Sequence, residues 1–146
     1  MRIHELGHVV LYVTSLPKTV HFYEKVLGFK KIGEQPGMAA FSSGRTHHEL
    51  LLIEIGGKPK SNHDPTPSLY HIGFKIGNTD KELKSALATM QKENVTIIGM
   101  SDHTVTHSLY VLDPDGNELE LYVDINEDWR KDPGLVMSPT RGLELR

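Results

Sequence analysis

The sequence predicts an α+β fold made of two paired β-α-β-β-β units, each about sixty residues long. Two strand-like segments, residues 7–13 and 70–76, each carry a histidine near their start. A helical segment follows each of them, and about three more strand-like segments follow each helix. Because this order of elements occurs twice, we interpret the halves as equivalent modules that form a curved mixed sheet around a cleft.

Each element is predicted from a local pattern. Apolar residues recur at three- and four-residue spacing over 16–27 and over 80–93, which predicts two helices, and Gly28 follows the first helix in the position of a C-terminal cap. Residues 36–37 and 113–117 are predicted turns, because proline fixes φ and glycine can adopt a positive φ. The predicted strands are residues 4–13, 29–35, 38–43, 47–55, 69–76, 96–100, 108–112 and 118–123.

We expect one domain over residues 1–124, with its two modules at about 4–55 and 69–123. The segment 56–68 is rich in Gly, Pro, Asn and Lys, and is predicted to be an exposed connection between the modules. The periodic pattern is lost after Asp124, so residues 125–146 are predicted to be an irregular tail.

Composition excludes several classes of protein. The 146 residues carry a formal net charge of −3, which provides no basic surface for nucleic acid. No apolar run is long enough to span a membrane, and the first residues are too polar for a secretory signal. The absence of cysteine suits a cytoplasmic protein, which we expect. The chain has no cysteine but has nine histidines and 19 acidic residues. Any bound metal must therefore be held by nitrogen and oxygen ligands.

One predicted strand has an unusual pattern. Residues 118–123 alternate acidic and apolar side chains, so Glu118 and Glu120 share one face of the strand. If that face lines the inside of a curved sheet, Glu120 is a buried anion, and a buried anion needs a partner such as a metal ion. His8 and His71 stand at equivalent places in the two modules and are the candidate nitrogen ligands.

Several motifs carry a family resemblance: Gly-His at 7–8, Leu-Gly-Phe at 27–29, Tyr-His at 70–71 and Asp-Pro-Asp-Gly-Asn-Glu-Leu-Glu-Leu-Tyr at 113–122. Over residues 4–123 the chain resembles the vicinal oxygen chelate superfamily, which includes glyoxalase I, bleomycin and fosfomycin resistance proteins, epimerases and type I extradiol dioxygenases. Ser-Asp-His at 101–103, followed by Leu-Tyr and Asp-Pro-Asp-Gly, is most similar to the extradiol, catechol-cleaving branch.

That resemblance implies a metal site and a reaction. The ligands would be His8, His71 and Glu120, and the metal would be Fe(II), with Mn(II) or another divalent metal as the alternative. Two imidazoles and one carboxylate leave adjacent coordination positions open, as in non-haem iron oxygenases. The implied substrates are a catechol-like aromatic and O2, and the resemblance also implies a homodimer.

The same branch implies three further site residues. His103 and Tyr110 match an acid-base pair beside the substrate. His48 matches a histidine near O2 on the fourth strand of the family. Because strand alternation would direct His47 to the other face, we expect His48 to be the functional member of that pair.

Two other kinds of function stay open at this point. A glyoxalase I or epimerase-type lyase or isomerase would use a divalent metal as a Lewis acid without O2. Glyoxalase I needs a fourth protein ligand on the fourth strand, for which Glu49 and Glu54 are candidates. A resistance-type protein would instead bind a ligand in the same cleft without catalysis. Because this second class needs no metal ligands, the three candidate ligands argue against it.

Overall fold

The computed structural model describes residues 1–60 and 67–145 and confirms the α+β class, with one four-stranded and one five-stranded mixed sheet in that part of the chain. The chain forms two compact units. The first comprises Met1–Asn62 with Pro114–Gly116, and the second comprises His63–Asp113 with Asn117–Arg146. Residues 61–66 of the predicted connection lie outside the described residues. No helix in the described ranges is long and apolar enough to cross a membrane.

The first unit contains one β-α-β-β-β module. The parallel pair β1–β4 starts with Val9 opposite Leu50, and the strand order is β1-β4-β3-β2. Core side chains of this unit that are almost fully buried are Val13, Tyr23, Phe41, Leu50 and Leu52. Its elements are β1 (Val9–Val13), α1 (Leu16–His21), β2 (Lys31–Gln35), β3 (Met38–Phe41) and β4 (Leu50–Glu54).

The first helical segment is confirmed, but only its first half is an α-helix. After His21 the backbone widens into a π-helical turn over Phe22–Val26, in which the Leu27 N–H donates to the Phe22 carbonyl at 3.0 Å. Such turns keep the apolar stripe but change the hydrogen-bond spacing. Because a π-helical turn leaves the positions of apolar residues almost unchanged, the periodicity that predicted residues 16–27 could not reveal it.

The second unit repeats the module and adds one short strand. Its sheet has the order β5-β8-β7-β6-β9, with β5 and β8 parallel. Leu83 and Met90 of the helix are buried, as are Leu109, Val111 and Leu119 of the sheet. Its elements are β5 (His71–Gly77), α2 (Asp80–Lys92), β6 (Ile97–Asp102), β7 (Thr106–Leu112), β8 (Glu118–Asp124) and β9 (Arg141–Gly142).

The segment predicted as an irregular tail contains short regular elements. Two 3₁₀ turns, Asp128–Arg130 and Pro133–Met137, lead to β9, which pairs antiparallel with β6. A strand of two residues is too short to show a period in the sequence. It forms because it can pair with the edge strand β6, which lies about forty residues earlier in the chain. The two residues of β9 therefore extend the second sheet at its β6 edge.

Candidate functional site

The two ligand candidates of the second unit are brought together by the parallel pair β5–β8. In the strand register His71 lies opposite Glu118 and Gly73 lies opposite Glu120. Leu119 and the other apolar residues of β8 are buried in the core, so the alternation directs the Glu120 side chain to the opposite face. His71 Nε2 lies 3.2 Å from Glu120 Oε2. This arrangement confirms the predicted faces of the last strand.

Glu120 is a partly buried anion whose partners are side chains. The hydroxyls of Ser108 and Tyr110 both donate to its Oε1 atom, at 2.6 and 3.2 Å. Only 17% of its side chain is exposed, so these donors and His71 supply most of the stabilisation that water would otherwise provide. Gly73, opposite Glu120 in the register, places no side chain over the carboxylate.

The second nitrogen of His71 has a different environment. His71 Nδ1 is buried and makes no hydrogen bond within the described part of the chain. Glu118 Oε1 lies 3.7 Å from this nitrogen. A carboxylate on the far side of a ligand histidine orients the ring and fixes its tautomer in many metal sites. The nitrogen and oxygen donors of His71 and Glu120 suit a divalent metal such as Fe(II) or Mn(II).

A chain of hydrogen bonds leads away from Glu120 through the predicted acid-base residues. Tyr110 OH lies 2.7 Å from His103 Nε2, and His103 Nδ1 lies 3.2 Å from the Thr140 hydroxyl. We assign the proton of the neutral imidazole to Nε2, because every group is then satisfied. Thr140 donates to His103, which donates to Tyr110, which donates to Glu120. Burial and the adjacent Glu120 carboxylate raise the pKa of Tyr110, so its phenol stays protonated.

These residues line an open pocket of about 470 Å³ within the second unit. One part of its wall is polar and contains the hydrogen-bonded residues described above. Another part is provided by apolar side chains, two of which come from the segment after Asp124. The apolar residues are Val105, Trp129 and Val136.

The histidine candidates of the first unit lie in the segments that lead into β1 and β4. His8 precedes Val9, and His47 and His48 precede Leu50, where β4 begins. One ring nitrogen of each histidine lies within 4.8 Å of the others. The expectation that His47 points to the opposite face from His48 is wrong, because neither residue is in the strand and their Nδ1 atoms are 2.6 Å apart. Burial and the two neighbouring histidines lower the pKa of His48.

The carboxylates considered for a fourth ligand have other partners in the first unit. Glu49 accepts hydrogen bonds from the Ser43 amide and hydroxyl, and Glu54 accepts one from the Leu16 amide. Although burial raises the pKa of Glu49, the Ser43 bonds outweigh this effect and lower it. In the register of β1 and β4, Leu51 occupies the place that Glu120 occupies in the second unit.

Two residues around Glu120 were not predicted from the sequence. Ser108 stands two residues before Tyr110 on β7, so strand alternation could have identified it. Thr140 follows the second 3₁₀ turn and reaches His103 across 37 residues of sequence. No local pattern signals that contact.

Comparisons with known proteins agree with this architecture. The chain is 31% identical over 134 residues to a catechol-2,3-dioxygenase of Bacillus subtilis, covering 89% of this chain and 46% of that protein. It is 32% identical over 120 residues to a biphenyl-2,3-diol 1,2-dioxygenase of Rhodococcus globerulus, covering 82% and 63%. The chain thus spans about half to just under two thirds of these relatives.

A solved structure supports the fold. The crystal structure of a glyoxalase/dioxygenase from Nostoc punctiforme matches with a TM-score of 0.67 and 19% identity, over 84% of this chain and 92% of that one. The model of the Glyoxalase/Bleomycin resistance protein/Dioxygenase superfamily matches residues 5–121. Because that match covers most of the chain, including the segments that carry His8, His71 and Glu120, the chain belongs to this superfamily.

Proposed function

We propose that the protein is an extradiol dioxygenase that opens the ring of a catechol-like aromatic with O2. The observation that carries the proposal is the hydrogen-bonded series of Glu120, Tyr110 and His103 beside His71. It puts a candidate acid-base pair next to a nitrogen and an oxygen donor in one pocket. A site that only binds or sequesters a ligand has no need of such a pair.

The proposed metal ligands are His71, Glu120 and His8. The first two are 3.2 Å apart, and His8 is proposed because it stands at the equivalent position of its own module, beside the first residue of the parallel strand pair. These residues would hold Fe(II), or alternatively Mn(II), which would supply the chemistry for reaction of a catechol with O2. All three ligands are nitrogen or oxygen donors, as a chain without cysteine requires.

The remaining roles belong to the side chains. Tyr110 stays protonated and directs its hydroxyl at Glu120, which orients the carboxylate. His103 is proposed to donate its Nε2 proton to a substrate oxygen and to take it back in a later step, with Tyr110 as the hydrogen-bond partner of Nε2 in the resting state. His48, whose pKa is lowered by burial, is proposed to contact O2 as a neutral imidazole.

The runner-up is an enzyme of the glyoxalase or epimerase type, with a fourth protein ligand. Leu51 argues against it, because the register position equivalent to Glu120 carries no donor in the first unit. Glu49 and Glu54 accept hydrogen bonds from backbone amides instead.

A homodimeric state and a cytoplasmic location stay predictions of the sequence.

The test is anaerobic reconstitution with Fe(II), followed by addition of catechol and O2. We expect one O2 to be consumed for each ring opened, with a coloured product that absorbs in the visible range. Parallel samples with Mn(II) and Zn(II) separate oxygen chemistry from Lewis-acid chemistry. Isomerisation of an α-keto substrate without O2 uptake would overturn the proposal, and so would failure to retain any divalent metal.

A further inference from the structure

The segment 125–143, which we name the C-terminal segment, is attached to the hairpin that carries His103. The Ile125 amide donates to the Val105 carbonyl at 3.1 Å, and the Asn126 side chain donates to the Thr104 carbonyl at 3.0 Å. Further along, β9 pairs with β6, and Thr140 reaches His103. Hydrogen bonds near both of its ends therefore hold the C-terminal segment against one side of the pocket.

The C-terminal segment contributes apolar surface to that pocket. Trp129 and Val136 line it together with Val105 of the hairpin. The Arg130 guanidinium lies 4.4 Å from the centre of the Trp129 ring and pairs with Glu127, so the indole is restrained by a neighbour on its own turn. Val136 is 59% exposed, which is a high value for an apolar residue beside a pocket. A bound apolar group would cover it.

The charges around the pocket disfavour an anion. Glu120 and Asp124 line it, whereas the described lining residues include no lysine or arginine. Lys75 is committed to Asp124, with Nζ and Oδ2 2.5 Å apart. Arg130, which lies on the Trp129 ring, is likewise paired with Glu127, so a carboxylate on a ligand would lose its hydration among the described lining residues without an unpaired lysine or arginine to replace it.

We propose that Trp129 and Val136 bind a neutral, apolar substituent on the aromatic ring of the substrate and that the pocket rejects substrates with a carboxylate at that place. The proposal deepens the proposed function, because the position of the ring beside His103 rests on it. The apolar wall, by which we mean Trp129 and Val136, is inferred from the contacts of the C-terminal segment alone. An aryl or alkyl group placed there would remove apolar surface from water on both partners, which is the main driving force for such binding.

Trp129 is the only tryptophan in the sequence, so tryptophan fluorescence reports on this side chain alone. The ligands are 2-phenylphenol, which is neutral, and 2-hydroxyphenylacetate, which carries a carboxylate; neither is a catechol, so binding is read without turnover. Fluorescence of the full-length protein follows Trp129 in titrations, with and without added Fe(II) under anaerobic conditions. Calorimetry measures the same affinities in variants that lack the fluorophore.

We expect 2-phenylphenol to shift the Trp129 emission and to bind at least about 10-fold more tightly than 2-hydroxyphenylacetate, because one apolar group in a pocket is worth about 10–200-fold. Trp129→Ala and Val136→Ala should weaken 2-phenylphenol by about 10-fold or more, and Trp129→Phe should retain most of its affinity. Ile98→Ala is the matched control, since Ile98 is also exposed in the second unit but does not line the pocket.

Failure of this inference is distinguishable from failure of the proposed function. Equal binding of the two ligands, or equal effects of Trp129→Ala and Ile98→Ala, would overturn the apolar wall even if catechol is cleaved. Selective binding with the expected variant effects, but without O2 uptake on catechols, would support the wall and overturn ring cleavage.

Discussion

The two units share one β-α-β-β-β order, but the candidate ligand Glu120 of the second unit has hydrogen-bond partners of a different kind from three carboxylates of the first. In the first unit Glu49, Glu54 and Asp115 accept hydrogen bonds from backbone amides. In the second, Glu120 accepts hydrogen bonds only from side chains among the bonds described, and it faces His71. The first arrangement fixes the chain, whereas the second leaves an anion beside open space. Duplicated architecture therefore does not imply duplicated chemistry.

The register of the parallel strand pairs shows which residue of the first unit corresponds to Glu120. Val10 lies opposite Leu51 in the first unit, and Gly73 lies opposite Glu120 in the second. An apolar residue at this place provides no ligand, so only the second module has a donor at mid-strand. This contrast favours a three-ligand site with open positions over a four-ligand one.

The largest expected effect separates Glu120 from Glu54. Glu120→Gln should abolish retention of the divalent metal and ring cleavage together, because the amide is a weaker ligand and Glu120 is the carboxylate that faces His71 Nε2 among the described residues. Glu54→Gln should keep the metal and lower the free energy of unfolding by only about 1 kcal/mol, since the Leu16 amide exchanges a charged acceptor for a neutral one. Metal analysis and urea unfolding measure the two effects. Equal metal retention in both variants would contradict the proposal that Glu120 holds the metal and Glu54 does not.

The next effect concerns catalysis in the second unit. His103→Ala should lower turnover about 10²–10⁴-fold while metal content and stability stay nearly unchanged, because His103 is proposed to move protons without holding the metal. His21→Ala, a change at an exposed histidine of α1, is the matched control and should leave turnover close to that of the unmodified protein. Steady-state O2 consumption is the measurement. Near-normal cleavage by His103→Ala would remove the acid-base assignment.

A smaller effect is expected for Asp115, which stabilises the first unit. Its carboxylate accepts hydrogen bonds from the Thr14 amide and the Thr19 hydroxyl, at 2.9 and 3.0 Å. Asp115→Ala should lower the free energy of unfolding by about 1–3 kcal/mol, because buried donors lose their acceptor. The exposed Asp128→Asn serves as the control and should stay within about 0.5 kcal/mol. Equal unfolding midpoints for the two variants would contradict the structural role of Asp115.

The smallest effect is a pH dependence at the start of α2. Hydrogen bonds from the Asn78 amide and the Thr79 hydroxyl lower the pKa of Glu82 below its ordinary value. The unfolded chain then binds protons more readily, so this stabilisation is present above the unfolded pKa of about 4.3 and is lost as pH falls through the lower folded value. Glu82→Gln should make stability less dependent on acid pH. Urea unfolding across acid pH measures it, and an unchanged acid slope would contradict it.

The capping of the two helices marks the boundary of what sequence can predict. Thr79 caps the start of helix α2 by accepting from the Glu82 amide, while the Glu82 carboxylate accepts from the Thr79 hydroxyl and the Asn78 amide. This capping box lies within five residues and is readable from sequence. The start of α1 instead uses Glu54 and Asp115, which are distant along the chain. No local pattern identifies such partners.

The sequence by itself determined the order of elements, the face of Glu120 and the equivalence of His8 and His71, because strand and helix periods are properties of consecutive residues. Tertiary structure decided that the segments carrying His8 and His48 stop short of the strands. It also decided that Thr140 meets His103 and that Trp129 lines the pocket. These contacts join residues far apart in the chain, so they depend on the path of the folded backbone, which no local period specifies.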